Sequence, residues 1–184
     1  MPDTIASESA THATSRWAAY LACGWAMLFA LMSFYWAAGG TFGVNTLGRT
    51  IQALAHDPGF IAIVWLTGIA KVVGGLFALT LARSWATWLP AGWKATLAWL
   101  GGIGLTLYGG VQLLVEGLVL AGVVHVNGPI DWQGMRWHVW LWDPWWLLGG
   151  IFYLLAAWQY QRSRGQKRQN AHPVAEEAPT LTSL

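Results

Sequence analysis

Four long apolar segments are the feature of this sequence that most restricts its fold. They cover residues 17–38, 60–82, 95–120 and 144–160, and each approaches the roughly 20 residues that a helix needs to cross a bilayer. Only 10% of the 184 residues are charged, whereas a soluble domain normally carries about 25% to cover its surface. We therefore predict an all-α polytopic membrane protein whose four transmembrane helices form an antiparallel bundle.

The positions of lysine and arginine predict the orientation of these helices. Four spans place both termini on the same side of the membrane. The first and third loops carry only Arg49 and Arg136. The cations beside the termini and in the second loop are more numerous: Arg16, Arg83, Lys94, Arg162, Arg164, Lys167 and Arg168. Because cytoplasmic loops are enriched in Lys and Arg, we predict that both termini are cytoplasmic.

The rest of the composition limits processing and partners. The first apolar segment is longer than a signal h-region and no A-x-A-like cleavage site follows it, so we expect it to be retained. Segments 1–15 and 163–184 contain few apolar residues, and both are predicted to be disordered, the second basic and then polar. The net charge of +2 is compatible with contact to membrane lipid and gives no indication of nucleic-acid binding. A single cysteine, Cys23, allows no intrachain disulfide.

A lysine near the middle of the second apolar segment is the strongest indication of a functional site. Lys71 lies about 16 Å of helix from either end, and an ionised lysine at that depth costs about 2.5–3.5 kcal/mol on insertion scales. It should therefore face the bundle interior and contact an acceptor or an anion. In the third segment Tyr108, Gln112 and Glu116 follow i, i+4, i+8 spacing and form one polar stripe. Glu116 either pairs with Lys71 or with a bound ligand, or is a carboxylate at the membrane interface.

Residues 135–150, MRWHVWLWDPWWLLGG, are exceptionally rich in tryptophan. The five indoles belong to Trp137, Trp140, Trp142, Trp145 and Trp146. One interpretation is an aromatic belt at the membrane interface, where an apolar ring with one N–H donor is favoured. Asp143 precedes Pro144 as Asp57 precedes Pro58, which is typical of an N-cap followed by a first-turn proline. We therefore predict that both aspartates cap helices.

Arg136 and His138 are not explained by an aromatic belt. Their side chains share a face if the segment is extended and diverge by about 200° if it is helical. His138 is either a hydrogen-bonded interfacial histidine or a group for ligand binding or proton transfer. His125 and Asp131 lie in the same loop, but no H-x-x-x-H or H-E-x-x-H pattern sets their register. We predict no metal site, and no cofactor, because no histidine lies within an apolar segment to ligate haem.

Four stretches carry a resemblance to a known family. They are GWAMLFALMSFYWAAGG (24–40), TGIAKVVGG (67–75), LYGG (107–110) and RWHVWLWDPWWLLGG (136–150), of which the last is the most specific. Over about residues 17–160 the chain resembles a bacterial four-helix membrane family named domain of unknown function 3995. The resemblance implies a small polytopic protein of the bacterial cytoplasmic (inner) membrane, and no particular activity or cofactor. The residues it assigns to the family's pattern are Tyr35, Trp36, Lys71, Tyr108, His138, Asp143 and Pro144.

These features together predict a pocket between helices in the outer half of the membrane. Lys71 forms its floor, the polar stripe of the third segment its wall, and the indoles of the third loop its roof. The candidate ligand-binding residues are Lys71, Glu116, Tyr108, Gln112, His138, Arg136, Tyr35, Trp36, Trp140 and Trp142. An apolar pocket with a few convergent polar groups suits a lipid-like or amphiphilic small molecule, which the protein would bind or carry.

Two other functions are compatible with the same residues. The first is an integral-membrane enzyme that acts on such a molecule, with His138 or Glu116 as acid or base and Lys71 as an electrostatic stabiliser. The second is a structural or accessory membrane subunit, in which the polar residues only set the register of the helices. An enzyme needs an acid or base beside a cavity, whereas an accessory subunit needs an exposed apolar face.

Overall fold

The computed structural model describes residues 16–83 and 85–170, with side chains as far as residue 166. These residues form an all-α fold, and no β-strand occurs among them. The predicted disordered segment 1–15 and residues 171–184 of the predicted tail lie outside the described residues. The helices are α1 (Trp17–Ala37), α2 (Arg49–Leu54), α3 (Pro58–Ala82), α4 (Ala91–Leu120), α5 (Trp132–Trp137) and α6 (Asp143–Asn170), with a 3-10 turn at Val44–Thr46 and a π turn at His138–Trp142.

Three helices of the described chain, α1, α3 and α4, are long and apolar enough to cross a membrane. The sequence predicted four such spans. Helix α6 has 28 residues and is long enough, but Asp143, Gln159 and the polar run 161–170 make it less apolar than the other three. It continues to Asn170, past the boundary at 163 where the sequence predicted a disordered tail.

The four long helices lie in the spatial order α3, α1, α6, α4. Helix α1 packs against α3 on one side and α6 on the other, and α4 packs mainly against α6. Burial reflects the central position of α1. In its most apolar 18-residue stretch 44% of the residues are buried, against 11% in the corresponding stretches of α3 and α4. Alanines allow this close packing, and the core at one end of the bundle consists largely of them: Ala18, Ala19, Ala82, Ala98, Ala156 and Ala157.

Helix α4 approaches the backbone of α6 through glycines. A Cβ on Gly109 would lie 2.6 Å from the Leu147 nitrogen and 2.7 Å from the Asp143 carbonyl oxygen. A Cβ on Gly102 would lie 2.9 Å from the Leu154 nitrogen, and one on Gly150 would meet Thr106. Small residues at these positions let two helix backbones come close in an apolar environment, so α4 pairs with α6.

Of the two aspartates predicted to cap helices, Asp57 does so and Asp143 does not. Asp57 is extended, with φ −74° and ψ 125°, and its carboxylate accepts the Phe60 N–H at 2.8 Å. It therefore caps α3, as predicted. Asp143 has helical angles, φ −70° and ψ −43°, because the backbone is helical without interruption from Trp132 through the π turn into α6. The predicted N-cap role of Asp143 is wrong, since Asp143 is itself helical and α6 continues the helical turns that precede it.

Asp131 holds the first connector (residues 38–57) against the start of α5. Its carboxylate accepts the Arg49 N–H at 2.7 Å and the Gly134 N–H at 3.1 Å. These backbone donors, Arg49 first, hold the pKa of Asp131 below its ordinary value, since they stabilise the ionised form. Gly48, with φ +89°, lies directly against Gly134, where a Cβ would come within 2.8 Å of the Gly48 Cα. The connector is thereby anchored above the long helices.

Candidate functional site

A cavity of about 440 Å³ lies at the end of the bundle that carries the first connector. Its walls come from the second half of α1, the first half of α3 and the connector, and the π turn and the start of α6 close one side. Most of the lining is apolar, with Phe29, Trp36 and Val64 among the contributors. The polar groups on the wall include Ser33, Lys71 and His138.

Lys71 and Ser33 meet at the cavity wall. The Lys71 ammonium donates a hydrogen bond to Ser33 Oγ at 2.7 Å, and the Ser33 hydroxyl in turn donates to the Phe29 carbonyl at 3.3 Å. Ser33 is only 1% exposed, so its hydroxyl is held in place. The ammonium also lies 4.0 Å from the centre of the Phe29 ring and 6.0 Å from that of Trp146, which are cation–π positions.

The partners of Lys71 are therefore electrically neutral. Within residues 16–83 and 85–166, no carboxylate oxygen lies within 4.0 Å of its ammonium. A hydroxyl and two aromatic faces reduce the cost of the charge but do not neutralise it. As predicted, Lys71 faces the bundle interior beside a side-chain oxygen and a cavity.

The polar stripe of α4 does not form the wall predicted for this cavity. Helix α6 lies between α1 and α4, so Tyr108, Gln112 and Glu116 are on the far side of α6 from Lys71. Tyr108 instead packs against the outer side of Trp146, with the ring centres 5.3 Å apart. The sequence pattern correctly placed the three residues on one helix face, but it contained no information about which helix that face meets.

The aromatic candidates are divided between the cavity and its surroundings. Trp36 and Trp142 line it, and the Trp142 indole donates to the Thr46 carbonyl and hydroxyl at 3.2 and 3.1 Å. Trp142 thus holds the 3-10 turn in place beside the cavity through these hydrogen bonds. Tyr35 accepts the Phe42 N–H at 3.2 Å and shapes the connector. Trp140 is 81% exposed and does not form the predicted roof.

The contribution of the first connector was not predicted. Residues such as Asn45, Ile51 and Gln52 line the cavity, although we predicted no structure for the segment between the first two spans. The spacing of Ile51, Leu54 and Ala55, which is that of one apolar helix face, was the signal that could have indicated a docked helix. Arg136, a candidate ligand-binding residue, is exposed and does not line the cavity.

A second polar group, behind the cavity, joins α4 to the π turn. His138 Nδ1 lies 3.5 Å from Asp143 Oδ1, and one ligand atom from each of Glu116, His138 and Asp143 lies within 4.8 Å of the other two. Asp143 is 1% exposed. Because His138 also lines the cavity, it connects this group of three residues, the Glu116–His138–Asp143 cluster, with the cavity.

The π turn explains why His138 and Asp143 face each other. Residues five apart in a regular α-helix point about 140° apart. Here the Asp143 N–H bonds to the His138 carbonyl, which is the i→i+5 pattern that brings such residues to one side. Glu116 joins them because it follows Gly109, which packs against the Asp143 carbonyl, by about two helical turns on the same face.

Fold and site together define an all-α protein with three helices suited to a membrane and a lysine-containing cavity at one end of the bundle. Residues 26–153 match the model of a family described as Protein of unknown function (DUF3995). Since the match covers more than half of the chain, the protein belongs to this family. The matched region includes Lys71, the first connector and the Glu116–His138–Asp143 cluster. No curated protein and no solved structure matches the chain.

Proposed function

We propose that the protein is a polytopic membrane protein that binds or carries an amphiphilic small molecule whose anionic head group contacts Lys71. The observation that carries the proposal is the Lys71 ammonium on a cavity wall with neutral partners. Lys71 stands at the middle of a 25-residue helix, where an uncompensated ammonium costs about 2.5–3.5 kcal/mol. An anionic ligand in the cavity would supply the missing counter-charge.

The shape and lining of the cavity support a ligand that is mostly apolar. Its volume of about 440 Å³ falls within the range of roughly 300–1,000 Å³ usual for small-molecule sites. Phe60, Ile61 and Val64 of α3 present an apolar wall between Lys71 and the connector. A head group beside Lys71 and a hydrocarbon chain along α3 would satisfy both parts of this lining.

The distribution of charge supports a bacterial inner-membrane location with α6 as a fourth span. Arg16, Arg83, Lys94 and Arg164 all line a second cavity at the end of the bundle opposite Lys71. Arg162 and Arg164 lie over the rings of Trp158 and Tyr160, at 5.3 and 5.9 Å, an arrangement that suits a membrane interface. By the positive-inside rule this end is cytoplasmic, both termini are inside, and the Lys71 cavity is in the outer half.

Native mass spectrometry of the detergent-solubilised protein tests the proposal. Wild-type protein should carry copurified anionic amphiphile, and Lys71→Met should lose it. Arg136→Met is the matched control, because it removes an exposed cation outside the cavity lining and should leave the bound molecule in place. If Lys71→Met retains the same molecule at the same occupancy, the proposed site is wrong.

A second candidate, an integral-membrane enzyme acting on such a molecule, is favoured by one observation. His138 lines the cavity and has a buried carboxylate, Asp143, 3.5 Å behind its Nδ1. A carboxylate in that position orients an imidazole for acid–base catalysis. Incubation of the copurified molecule with wild-type and His138→Gln protein distinguishes the two functions, since a binding protein returns it unchanged in both cases.

A further inference from the structure

The Glu116–His138–Asp143 cluster contains more acceptor atoms than the described residues satisfy. Asp143 Oδ2 and Glu116 Oε2 are buried and have no hydrogen-bond partner among those residues. Asp143 itself is 1% exposed. Buried carboxylate oxygens are normally paired with a donor or a cation. These two buried oxygens belong to carboxylates that lie beside the His138 imidazole, a combination that favours a bound cation.

The distances in the cluster are close to those of a metal shell. Donor atoms that bind one ion at 2.0–2.2 Å lie roughly 3–3.6 Å from one another. The 3.5 Å between His138 Nδ1 and Asp143 Oδ1 already has this value. One ligand atom from each of the three residues lies within 4.8 Å of the other two, and rotation of the flexible Glu116 side chain can shorten its distances to the others.

We propose that Glu116, His138 and Asp143 bind a first-row divalent transition-metal ion. An imidazole ligand favours such metals over Mg²⁺ and Ca²⁺, which prefer oxygen ligands. Three protein ligands leave further coordination positions open, as in catalytic rather than structural metal sites. The ion lies behind His138 and neutralises the two carboxylates. This site shares His138 with the wall of the Lys71 cavity but does not depend on the ligand proposed for that cavity.

No ligand spacing in the sequence indicated this site, because Glu116 comes from α4 and the other two residues from the opposite side of a long loop. His138 and Asp143 are five apart, a spacing that a π turn, unlike a regular α-helix, brings to one side. The site therefore depends on the tertiary structure and on an irregular helical turn, a feature that often occurs at functional positions.

Metal binding by the untagged full-length protein in detergent tests the proposal. After chelator treatment, the protein is dialysed against Zn²⁺ or Co²⁺, and bound metal is measured by elemental mass spectrometry. Wild-type protein should retain about one ion per chain, and the Co²⁺ form should show the visible absorption of a low-coordinate site. Glu116→Gln and Asp143→Asn should each raise the Kd at least about tenfold. His125→Gln, which changes an exposed loop histidine, is the control and should bind as wild type does.

The outcomes separate this proposal from the one for Lys71. Lys71→Met should keep the metal and lose the amphiphile, whereas Glu116→Gln should lose the metal and keep the amphiphile, since Glu116 is not on the cavity lining. If Asp143→Asn does not fold, Glu116→Gln decides, because Glu116 is less buried. No ion on the wild-type protein, or equal binding by Glu116→Gln and His125→Gln, would overturn the proposal.

Discussion

The Lys71 ammonium donates to Ser33 Oγ at 2.7 Å and so links α3 to α1 beside the cavity. This contact explains how a charged residue that has no carboxylate partner within the described part of the chain is accommodated in the middle of an apolar helix. Ser33 accepts from Lys71 and donates to the Phe29 carbonyl, so one small hydroxyl connects the charge to the backbone of the central helix.

The Lys71–Ser33 contact predicts that substitutions at these two positions have non-additive effects on the free energy of unfolding. Ser33→Ala should lower the free energy of unfolding by about 1.5–3 kcal/mol, the range for a hydrogen bond to a charged group. In a Lys71→Met background the same change should cost much less, because the charge is gone. The combination of Lys71→Met with Glu116→Gln should instead be additive within about 0.5 kcal/mol. Unfolding in detergent micelles measures both double-mutant cycles, Ser33 with Lys71 and Lys71 with Glu116. Strong coupling between positions 71 and 116 would contradict the spatial order α3, α1, α6, α4.

The charge distribution predicts the topology. Reporter fusions after Arg164 and within residues 84–92 should report the cytoplasm, and fusions near Gly128 should report the outside. The cations that line the second cavity are then all cytoplasmic. A periplasmic signal from the fusion after Arg164 would reverse the orientation and place the Lys71 cavity in the inner half of the membrane.

The approach of α4 to α6 predicts opposite effects for two glycines of the same helix. Gly109→Ala should destabilise the protein by about 1–3 kcal/mol, because the new methyl would meet the Leu147 and Asp143 backbones, which cannot rotate away. Gly104→Ala is the matched control: a Cβ there meets nothing within 4 Å. It should be neutral or stabilise by up to about 1 kcal/mol through helix propensity. Thermal unfolding in detergent compares them, and equal effects would show that α4 does not contact α6 at Gly109.

The carboxylate of Asp131 predicts that the local stability of the first connector depends on pH. Its pKa in the folded protein is lowered by the Arg49 and Gly134 backbone donors. A group with a depressed pKa stabilises the fold above its unfolded value, near pH 4, and this stabilisation is lost as the pH falls through the folded value. Hydrogen exchange of the Arg49 amide should therefore become less protected as the pH falls below about 4, after correction for the intrinsic rate.

Asp131→Asn is the control for this prediction. The amide keeps a carbonyl acceptor for the Arg49 N–H but cannot titrate, so protection in the variant should not change over the same pH range. The prediction is wrong if wild type and variant show the same pH profile.

Several parts of the structure follow from local sequence information alone. The length and apolar character of residues 17–38, 60–82 and 95–120 indicated α1, α3 and α4, because hydropathy is a property of a segment by itself. The Asp57–Pro58 pair indicated the start of α3, because capping involves atoms only a few residues apart. The cost of a charge at mid-helix indicated that Lys71 faces the interior, whatever its partner.

Tertiary structure decided which of these elements meet. Apolar helix surfaces have similar affinity for lipid and for one another, so hydropathy cannot say whether α4 packs beside α3 or α6; the close steric fit at Gly102, Gly109 and Gly150 decides it. That arrangement separates Lys71 from Glu116 and gives the lysine Ser33 instead. Likewise, the Asp143–Pro144 pair has the local sequence of a helix start, but the residues before it are already helical. The π turn that they form directs Asp143 toward His138. Such contacts depend on how residues distant in sequence pack together, and a pattern of spacings along one segment does not contain that information.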